Sequence, residues 1–417
     1  MAIVIYAAVL LLIPATQVLP GLRGIGTVAH VCAWLLLLWW TAEWLAFRHG
    51  PLDPVSTAMG CFALVGMASY AVGMTLPLHD DQVRAGDRGV VVILTGLGVV
   101  LVAAQGVRTQ RQLEAVMAAL VCLAGVVAAA ALVQFITGVD LAAGIKVPLL
   151  RDMVTDAGIG DARFGFLRTN ATAAHPIELG VVLAAVIPIG LHQLVQLRRL
   201  WAGIPTTLML LAIPTTLSRS AIIALAIGLA IVILPWTWLE RLVVLSGIGV
   251  LGLLAVLLRP GLGEGVVDLF ANVGSDDSIL GRTSDYDAIG GYLQASPLMG
   301  SGMGTFLPQR FIILDNQYLL TLIDMGAIGL LALIIVLLTG IATVTSVSAR
   351  ASSNRLSRAA VTLGASLTGL IVCLAFFDAL SFGMASGMLW ILLGLVGATW
   401  QIARSEHQDV CCLGTWG

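Results

Sequence analysis

Charge is scarce in this sequence of 417 residues, of which 11% are charged and one is a lysine, Lys146. Soluble domains average about 25% charged residues, whereas 59% of this chain is hydrophobic. A mean hydropathy of +1.00 therefore excludes a soluble protein. The net charge of −2 gives no reason to expect a nucleic acid partner.

Cysteine patterns that would indicate zinc or a disulfide framework are missing too. Four of the six cysteines lie inside apolar runs and two are adjacent near the C-terminus: Cys32, Cys61, Cys122, Cys373, Cys411 and Cys412. A basic segment is also lacking ahead of the first apolar run, MAIVIYAAVLLLIPA. This run is therefore expected to be a first membrane span rather than a cleaved signal.

Long apolar runs are what the sequence does contain. A helix needs about 20 apolar residues to cross a bilayer, and only helices and closed barrels satisfy their backbone groups there. The sequence therefore predicts an all-α polytopic membrane helical bundle of about 12 transmembrane helices. The predicted spans are residues 3–20, 25–47, 55–77, 88–107, 113–137, 176–197, 203–217, 220–235, 242–258, 317–346, 359–378 and 384–403.

Arginine bias predicts the orientation, because short cytoplasmic loops are enriched in basic residues. One set of connections carries Arg48, Arg108, Arg111, Arg198, Arg199, Arg241, Arg350, Arg355, Arg358 and Arg404, and the short loops of the other carry Arg23, Arg84, Arg88 and Arg219. We therefore expect both termini in the cytoplasm and the two long loops outside. The segments are then 1–137 (N-terminal helices), 138–175 (outer loop), 176–258 (core helices), 259–316 (large outer loop between spans nine and ten), 317–404 (C-terminal helices) and 405–417 (cytoplasmic tail).

Arg219 lies in a short outer turn, TTLSRSA, where the charge bias disfavours arginine. Ser218 is a suitable N-cap for span eight, so Arg219 would sit at the positive end of that helix. Free N–H groups, the helix dipole and a guanidinium together favour a bound anion. The alternative is an arginine that sets topology or extends to the lipid headgroups.

The large outer loop ends in two polar elements. Gly300, Gly302 and Gly304 predict a tight turn of close approach; it lacks the lysine and the strand-to-helix setting of a phosphate-binding loop. Asp315 could cap span ten, or act as a general base with its pKa raised near the lipid surface. Asp324, about two turns into that span, needs a partner, either the backbone or an arginine.

The first outer loop ends in RFGFLRTNATAAHP, immediately before span six. Pro176 and Glu178 suit the start of a helix. For His175 we favour a capping or packing role over catalysis.

Four segments in order resemble the O-antigen ligase and polymerase superfamily, over roughly residues 163–338. They are RFGFLRTNATAAHPIELG, TTLSRSA, LGRTSDYDAIGGYLQASPLMGSGMGTF and DNQYLLTLIDMGAIGLL. Members of this superfamily are multispanning bacterial enzymes that transfer glycans from polyprenyl-diphosphate carriers at the outer face of the inner membrane. Their topology likewise includes a large outer loop between spans nine and ten.

The resemblance implies a role for each matching position. Arg219 and Arg282 would neutralise the diphosphate leaving group, because guanidinium is always charged and grips phosphate in bidentate fashion. No metal or cofactor would be required. Ligase members typically place a histidine as the base where this chain has Asp315, so its Asp-Asn form looks more like polymerase or exopolysaccharide members.

We therefore predict a metal-independent membrane glycosyltransferase of polysaccharide synthesis. Asp315 would deprotonate the acceptor hydroxyl, with Asn316 and Tyr318 as orienting neighbours. Arg163, Arg168 and His175 would line the donor or acceptor path. The expected partners are a polyprenyl-diphosphate-linked glycan donor, a glycan or lipid-linked glycan acceptor, membrane lipids and other polysaccharide-assembly proteins.

Two other classes of function stay open at this point. A transporter or flippase of lipid-linked oligosaccharide predicts repeats and polar sites near the bilayer midplane. A non-catalytic assembly or sensor protein would tolerate substitution of Arg219, Arg282 and Asp315.

Overall fold

The computed structural model describes residues 1–20, 27–47, 51–152, 162–163, 165–271, 290–293 and 296–413, and it is almost entirely helical. A helix is found at each of the twelve predicted spans. The helices are α1 (Ala2–Leu12), α2 (Val28–Ala46), α3 (Pro54–Gly73), α4 (Asp80–Gly106), α5 (Gln110–Thr137), α6 (Pro176–Leu191), α7 (Gly203–Thr215), α8 (Arg219–Val232), α9 (Trp238–Leu258), α10 (Pro260–Ala271, in the large outer loop), α11 (Gln317–Arg350), α12 (Asn354–Cys373) and α13 (Gly383–Leu413).

Length and composition suit these helices to a membrane. Within the described ranges, nine are long and apolar enough to cross it, whereas α1, α7 and α8 are shorter apolar helices. A π-helical turn, His192–Gln196, continues α6, and a 3₁₀ turn, Leu200–Ala202, leads into α7. The all-α polytopic fold predicted from hydropathy is thus confirmed.

Strands are confined to two short antiparallel pairs in the described ranges. β1 (Gln17–Val18) pairs with β2 (Arg151–Asp152), and β3 (Ala162–Arg163) pairs with β4 (Phe166–Leu167). The first pair joins the α1–α2 connection to the first outer loop. These two loops therefore lie at the same end of the bundle.

The connections assigned to the outer side meet at this end, which we call the long-loop end. The Thr172 hydroxyl donates to Leu11 O at 2.6 Å, and Gln82 Nε2 donates to Thr305 O at 3.2 Å. At the opposite end, Arg199 forms an ion pair with Glu114 at 2.9 Å. The arginine pattern thus grouped the connections correctly into two ends.

Several predicted spans differ from the helices observed. Span one was predicted to reach residue 20, but α1 ends at Leu12, and span four was predicted to begin at residue 88, but α4 begins at Asp80. Span ten is interrupted, because α11 leaves helical geometry at Gly326 (φ 69°, ψ −174°). Span eleven was predicted to reach residue 378, but α12 ends at Cys373. Asp378 therefore lies in the α12–α13 connection, beside a 3₁₀ turn at Ala379–Ser381, and not in a span.

Candidate functional site

The turn between α7 and α8 carries the first functional candidate. The Ser218 hydroxyl accepts the Ala221 N–H at 3.4 Å and caps α8, as predicted. The residue before it, Leu217, is buried with φ at 46°, a conformation that costs a branched side chain energy. Arg219 starts α8, and its Nε donates to Leu269 O in α10. This contact joins the turn to the large outer loop.

Arg168 is held against the same turn. Its Nε donates to Thr216 O at 2.9 Å, and its side chain is buried. The neighbouring Thr169 and Thr215 hydroxyls share a hydrogen bond of 2.7 Å, which docks the first outer loop on α7. Two guanidinium groups thus flank one helix start. We call Arg168 together with residues 216–219 the arginine turn.

The side chains of two other predicted cations, Arg282 and Arg163, are not among the described parts of the structure. Arg282 lies outside the described residues, and Arg163 is described only by its backbone, in β3. A clamp made by Arg219 and Arg282 therefore stays a prediction. Arg168, which we placed on a substrate path, is the arginine observed beside the Arg219 turn.

At the start of α11, the neighbouring residues Asp315, Asn316 and Tyr318 make different contacts. Asn316 is the N-cap, since its Oδ1 accepts the Leu319 N–H at 3.2 Å. The capping alternative for Asp315 is therefore wrong; Asp315 precedes the cap and is half-buried. The Tyr318 hydroxyl donates to Ile371 O at 2.9 Å, so it contacts the backbone of α12.

Asp378 is a candidate to which sequence reasoning gave no role. The pKa of Asp378 is raised to about 7, mainly by burial and to a lesser extent by the negative charges of Asp315 and Glu178, which outweigh the lowering effect of a hydrogen bond from Ser381. Asp315 and Asp378 are thus close enough to repel, and we call them the carboxylate pair. The sequence signal for this site was Asp378 itself, an isolated acidic residue between two apolar helices. Because span eleven was predicted to reach residue 378, this residue was assigned to the span and given no role.

His175 and Glu178 have structural tasks at the start of α6. The Ile177 N–H donates to His175 Nδ1 at 3.2 Å, the capping role that we favoured. The buried Glu178 carboxylate accepts N–H groups from Ala174 at 2.8 Å, Met384 at 2.6 Å and Ala385 at 3.1 Å. Glu178 therefore ties the start of α6 to the start of α13, immediately behind Asp378.

The last turn of α12 is the common support of the arginine turn and the carboxylate pair. The Cys373 thiol donates to Ser220 O in α8 at 3.2 Å. One residue later, Leu374 O accepts the Gln317 N–H of α11 at 2.8 Å. The starts of α8 and α11, which carry Arg219 and Asp315, are thus fixed against the same few residues.

The glycine turn is docked on α11 through Asp324. The Asp324 carboxylate accepts N–H groups from Gly304 at 2.6 Å and Phe306 at 2.9 Å, and its backbone carbonyl accepts those of Ser301 and Gly302, both at 2.8 Å. This confirms the turn of close approach and the backbone partner expected for Asp324. Because these N–H groups already have acceptors, they do not form a phosphate cradle.

A cavity of about 310 Å³ lies beside the glycine turn at the long-loop end. This volume falls in the range of small-ligand sites. Its wall combines α2, α4, the start of α11, residues 303–314 and the α12–α13 connection. The polar lining includes His30, Arg88, Gln317, Thr321, Asp324 and Asp378. Asp378 therefore links the carboxylate pair to this cavity.

Within the described part of the chain, no group of three or more His, Cys, Asp or Glu side chains is placed to hold a metal ion.

Comparison with known proteins identifies the central segment. Residues 204–334 match the family model described as O-antigen ligase. The match runs from α7 into α11 and includes Arg219, Asp315 and Asn316, whereas Arg168 and Asp378 lie outside it. A search of the curated proteins finds no match to the chain. The family match confirms the resemblance and contains three of the four sequence segments; RFGFLRTNATAAHPIELG lies before it.

Proposed function

We propose that this chain, which carries a domain of the O-antigen ligase and polymerase superfamily, transfers glycan from a polyprenyl-diphosphate carrier to an acceptor sugar. The reaction would take place at the outer face of the bacterial cytoplasmic membrane. The observation that supports this proposal most directly is that the helix starts next to the arginine turn and the carboxylate pair both form hydrogen bonds with the last turn of α12. A cationic group for a leaving diphosphate and an acidic group for an attacking hydroxyl are thereby held at one end of the bundle.

Arg219 supplies the positive charge for the leaving group. The negative charge on a lipid diphosphate grows as its bond to the sugar breaks, and preorganised cations stabilise that transition state. Arg168, buried beside the same turn, adds a second guanidinium. The proposed diphosphate site therefore consists of the arginine turn, with Arg282 as a further cation from the large outer loop.

Asp315 acts as the general base. It takes the proton of an acceptor hydroxyl while that oxygen forms a bond to the anomeric carbon of the donor. The bond between that carbon and the diphosphate oxygen breaks, and the lipid diphosphate leaves with the electron pair. The half-buried position of Asp315 and the cap supplied by Asn316 support this role.

Asp378 tunes the base. With its pKa raised to about 7, Asp378 carries its proton in mildly acidic solution and loses it near neutrality. The charged form then repels the Asp315 carboxylate, and this repulsion favours uptake of the acceptor proton.

We favour a polymerase over a ligase, since the base is an aspartate and not a histidine. A transporter or flippase is the other candidate; it predicts polar residues gathered near the midplane. The cavity is instead lined by loop residues of the long-loop end and by the first few turns of α2, α4 and α11. This location favours chemistry at a membrane surface.

The experiment that tests the diphosphate site compares Arg219, at the start of α8, with Arg241 in α9. Arg219→Ala should reduce transfer in membrane vesicles by about 10²-fold or more, the usual effect of removing one charge-stabilising group. Arg241 binds the carbonyls of Ile233 and Leu234 beyond the end of α8, so Arg241→Ala should retain transfer. Full product yield from a folded Arg219→Ala protein would rule out the proposed site.

A further inference from the structure

Part of the cavity wall comes from the N-terminal helices. α2 contributes His30, and α4 contributes Arg88 together with Ala85, Gly89 and Val92. These helices lie outside the matched segment 204–334, and none of their residues has a role in the proposed diphosphate site. They are nevertheless part of the same chamber, because the large outer loop is packed directly on them.

Contacts with α4 hold the loop in this position. Arg310 forms an ion pair of 2.7 Å with Asp81, and Gln82 donates to Thr305 O at 3.2 Å. The loop thereby closes one side of the cavity with Phe306 and Leu307. The cavity is thus a space between the N-terminal helices and the catalytic loop.

Arg88 is the cation of this chamber. It lies about two turns into α4 and is half-buried. Its Nε donates to Arg84 O at 3.2 Å, and within the described ranges no carboxylate forms an ion pair with it. Its guanidinium lines the cavity and can therefore meet an anionic group of a ligand there.

Asp324, one of the two carboxylates that line the cavity, is already committed to other hydrogen bonds. Asp324 already accepts three donors of the glycine turn, at 2.6, 2.9 and 3.3 Å. His30 adds a polar group on the same wall, with Nδ1 bonded to the Thr27 hydroxyl at 2.7 Å, which leaves Nε2 for a ligand. The wall therefore suits a ligand with a negative group and hydroxyls.

We propose that this cavity is the acceptor subsite and that Arg88, with His30, selects acceptor sugars carrying an anionic group, such as the carboxylate of a uronic acid. The inference rests on the proposed transfer reaction, because Asp378 joins the cavity to the base. An acceptor anchored on Arg88 spans the cavity, and its hydroxyl is presented toward the carboxylate pair. The apolar side formed by Phe306 and Leu307 covers the face of the sugar ring.

Binding measured apart from transfer tests this inference. The protein in lipid nanodiscs is titrated, by ligand-observed NMR, with a disaccharide methyl glycoside ending in glucuronic acid and with its carboxyl-reduced counterpart. Wild type should bind the acidic probe at least about tenfold more tightly, the effect expected of a hydrogen bond to a charged group. Arg88→Gln should remove this preference. Arg84→Gln is the matched control, since Arg84 is an exposed arginine one turn away that does not line the cavity.

Equal binding of the two probes by wild type, or no saturable binding of either, would overturn the inference. Equal losses in Arg84→Gln and Arg88→Gln would do the same. Inorganic diphosphate that displaces the acidic probe from wild type would reassign the cavity to the donor. Preference for the acidic probe in a folded protein that performs no transfer would instead contradict the proposed function and leave the subsite in place.

Discussion

The adjacent residues Asp315 and Asn316 have different roles in the structure. Asn316 caps α11, so its amide oxygen is committed to the helix start. Asp315 faces the charge of Asp378. From the sequence, either residue could have been the cap, because both side chains carry an oxygen acceptor at a suitable distance. The choice depends on backbone geometry at the helix start, which the residue types do not fix.

Among substitutions that keep the size of the side chain, removal of the general base Asp315 should reduce the transfer rate most. Asp315→Asn should lower the transfer rate by about 10²- to 10⁴-fold, because the amide cannot accept the acceptor proton. The exposed Asp80, also at the long-loop end, offers a matched control in Asp80→Asn. Transfer assayed with purified folded protein distinguishes the two. An Asp315→Asn enzyme as active as the control would remove Asp315 from the mechanism.

The raised pKa of Asp378 predicts opposite pH effects on activity and stability. Activity should rise as pH increases through about 7, because Asp378 then loses its proton and its negative charge attracts the acceptor proton toward the carboxylate pair. Stability should move the other way. The folded-state pKa lies above the ordinary value of 3.8, so the stabilising contribution is complete below about pH 4 and is lost as pH rises through about 7.

Asp378→Asn supplies the comparison for both measurements. The variant should show neither the rise in transfer rate near pH 7 nor the accompanying fall in melting temperature, relative to wild type at each pH. Identical pH profiles for the two proteins would mean that Asp378 does not titrate in this range.

At the scale of elements, the interruption of α11 positions the catalytic loop. The helix opens at Gly326, where Ala327 N–H donates to Pro297 O at 3.0 Å and Ile328 N–H donates to Leu298 O at 3.1 Å. The glycine turn then docks on Asp324 through its N–H groups. The hydropathy of span ten could not show this break, because an apolar glycine suits both a helix and a kink.

Gly326→Ala should therefore destabilise the protein by roughly 2 kcal/mol or more, since φ is positive and a Cβ would overlap the Leu298 carbonyl. Gly249→Ala in α9 is the control: no atom lies within 4 Å of a Cβ there, and alanine favours a helix. Thermal unfolding in detergent measures both. Equal melting temperatures for the two variants would contradict the docked geometry.

At the scale of the whole molecule, much of the architecture could be predicted, because a segment that crosses a lipid bilayer must be apolar and long enough to span it. Apolar length located a helix at all twelve predicted spans, and arginine bias grouped their connections into two ends. What could not be predicted are contacts between distant segments, such as Arg168 on Thr216 O and Asp378 near Asp315. Such contacts depend on how the helices pack against one another, and a hydrophobic pattern does not show which segments will be in contact.

Orientation is a separate prediction of the arginine bias. In a cysteine-free background, Thr75→Cys at the long-loop end should react with an impermeant maleimide in intact cells with a permeable outer layer. Ser352→Cys at the opposite end should react only after the cytoplasmic membrane is opened. Both positions are exposed. The reverse pattern would place the arginine turn and the carboxylate pair in the cytoplasm and contradict the proposed reaction site.

The most direct test of the central claim is a reconstituted transfer assay with product sizing. Purified protein in liposomes receives polyprenyl-diphosphate-linked glycan from its own host, and Asp315→Asn is assayed beside wild type. The account predicts a ladder of longer lipid-linked glycans from wild type and none from the variant. Absence of any glycan transfer by folded wild-type protein would contradict the account, and transfer to a different acceptor alone would replace the polymerase with a ligase.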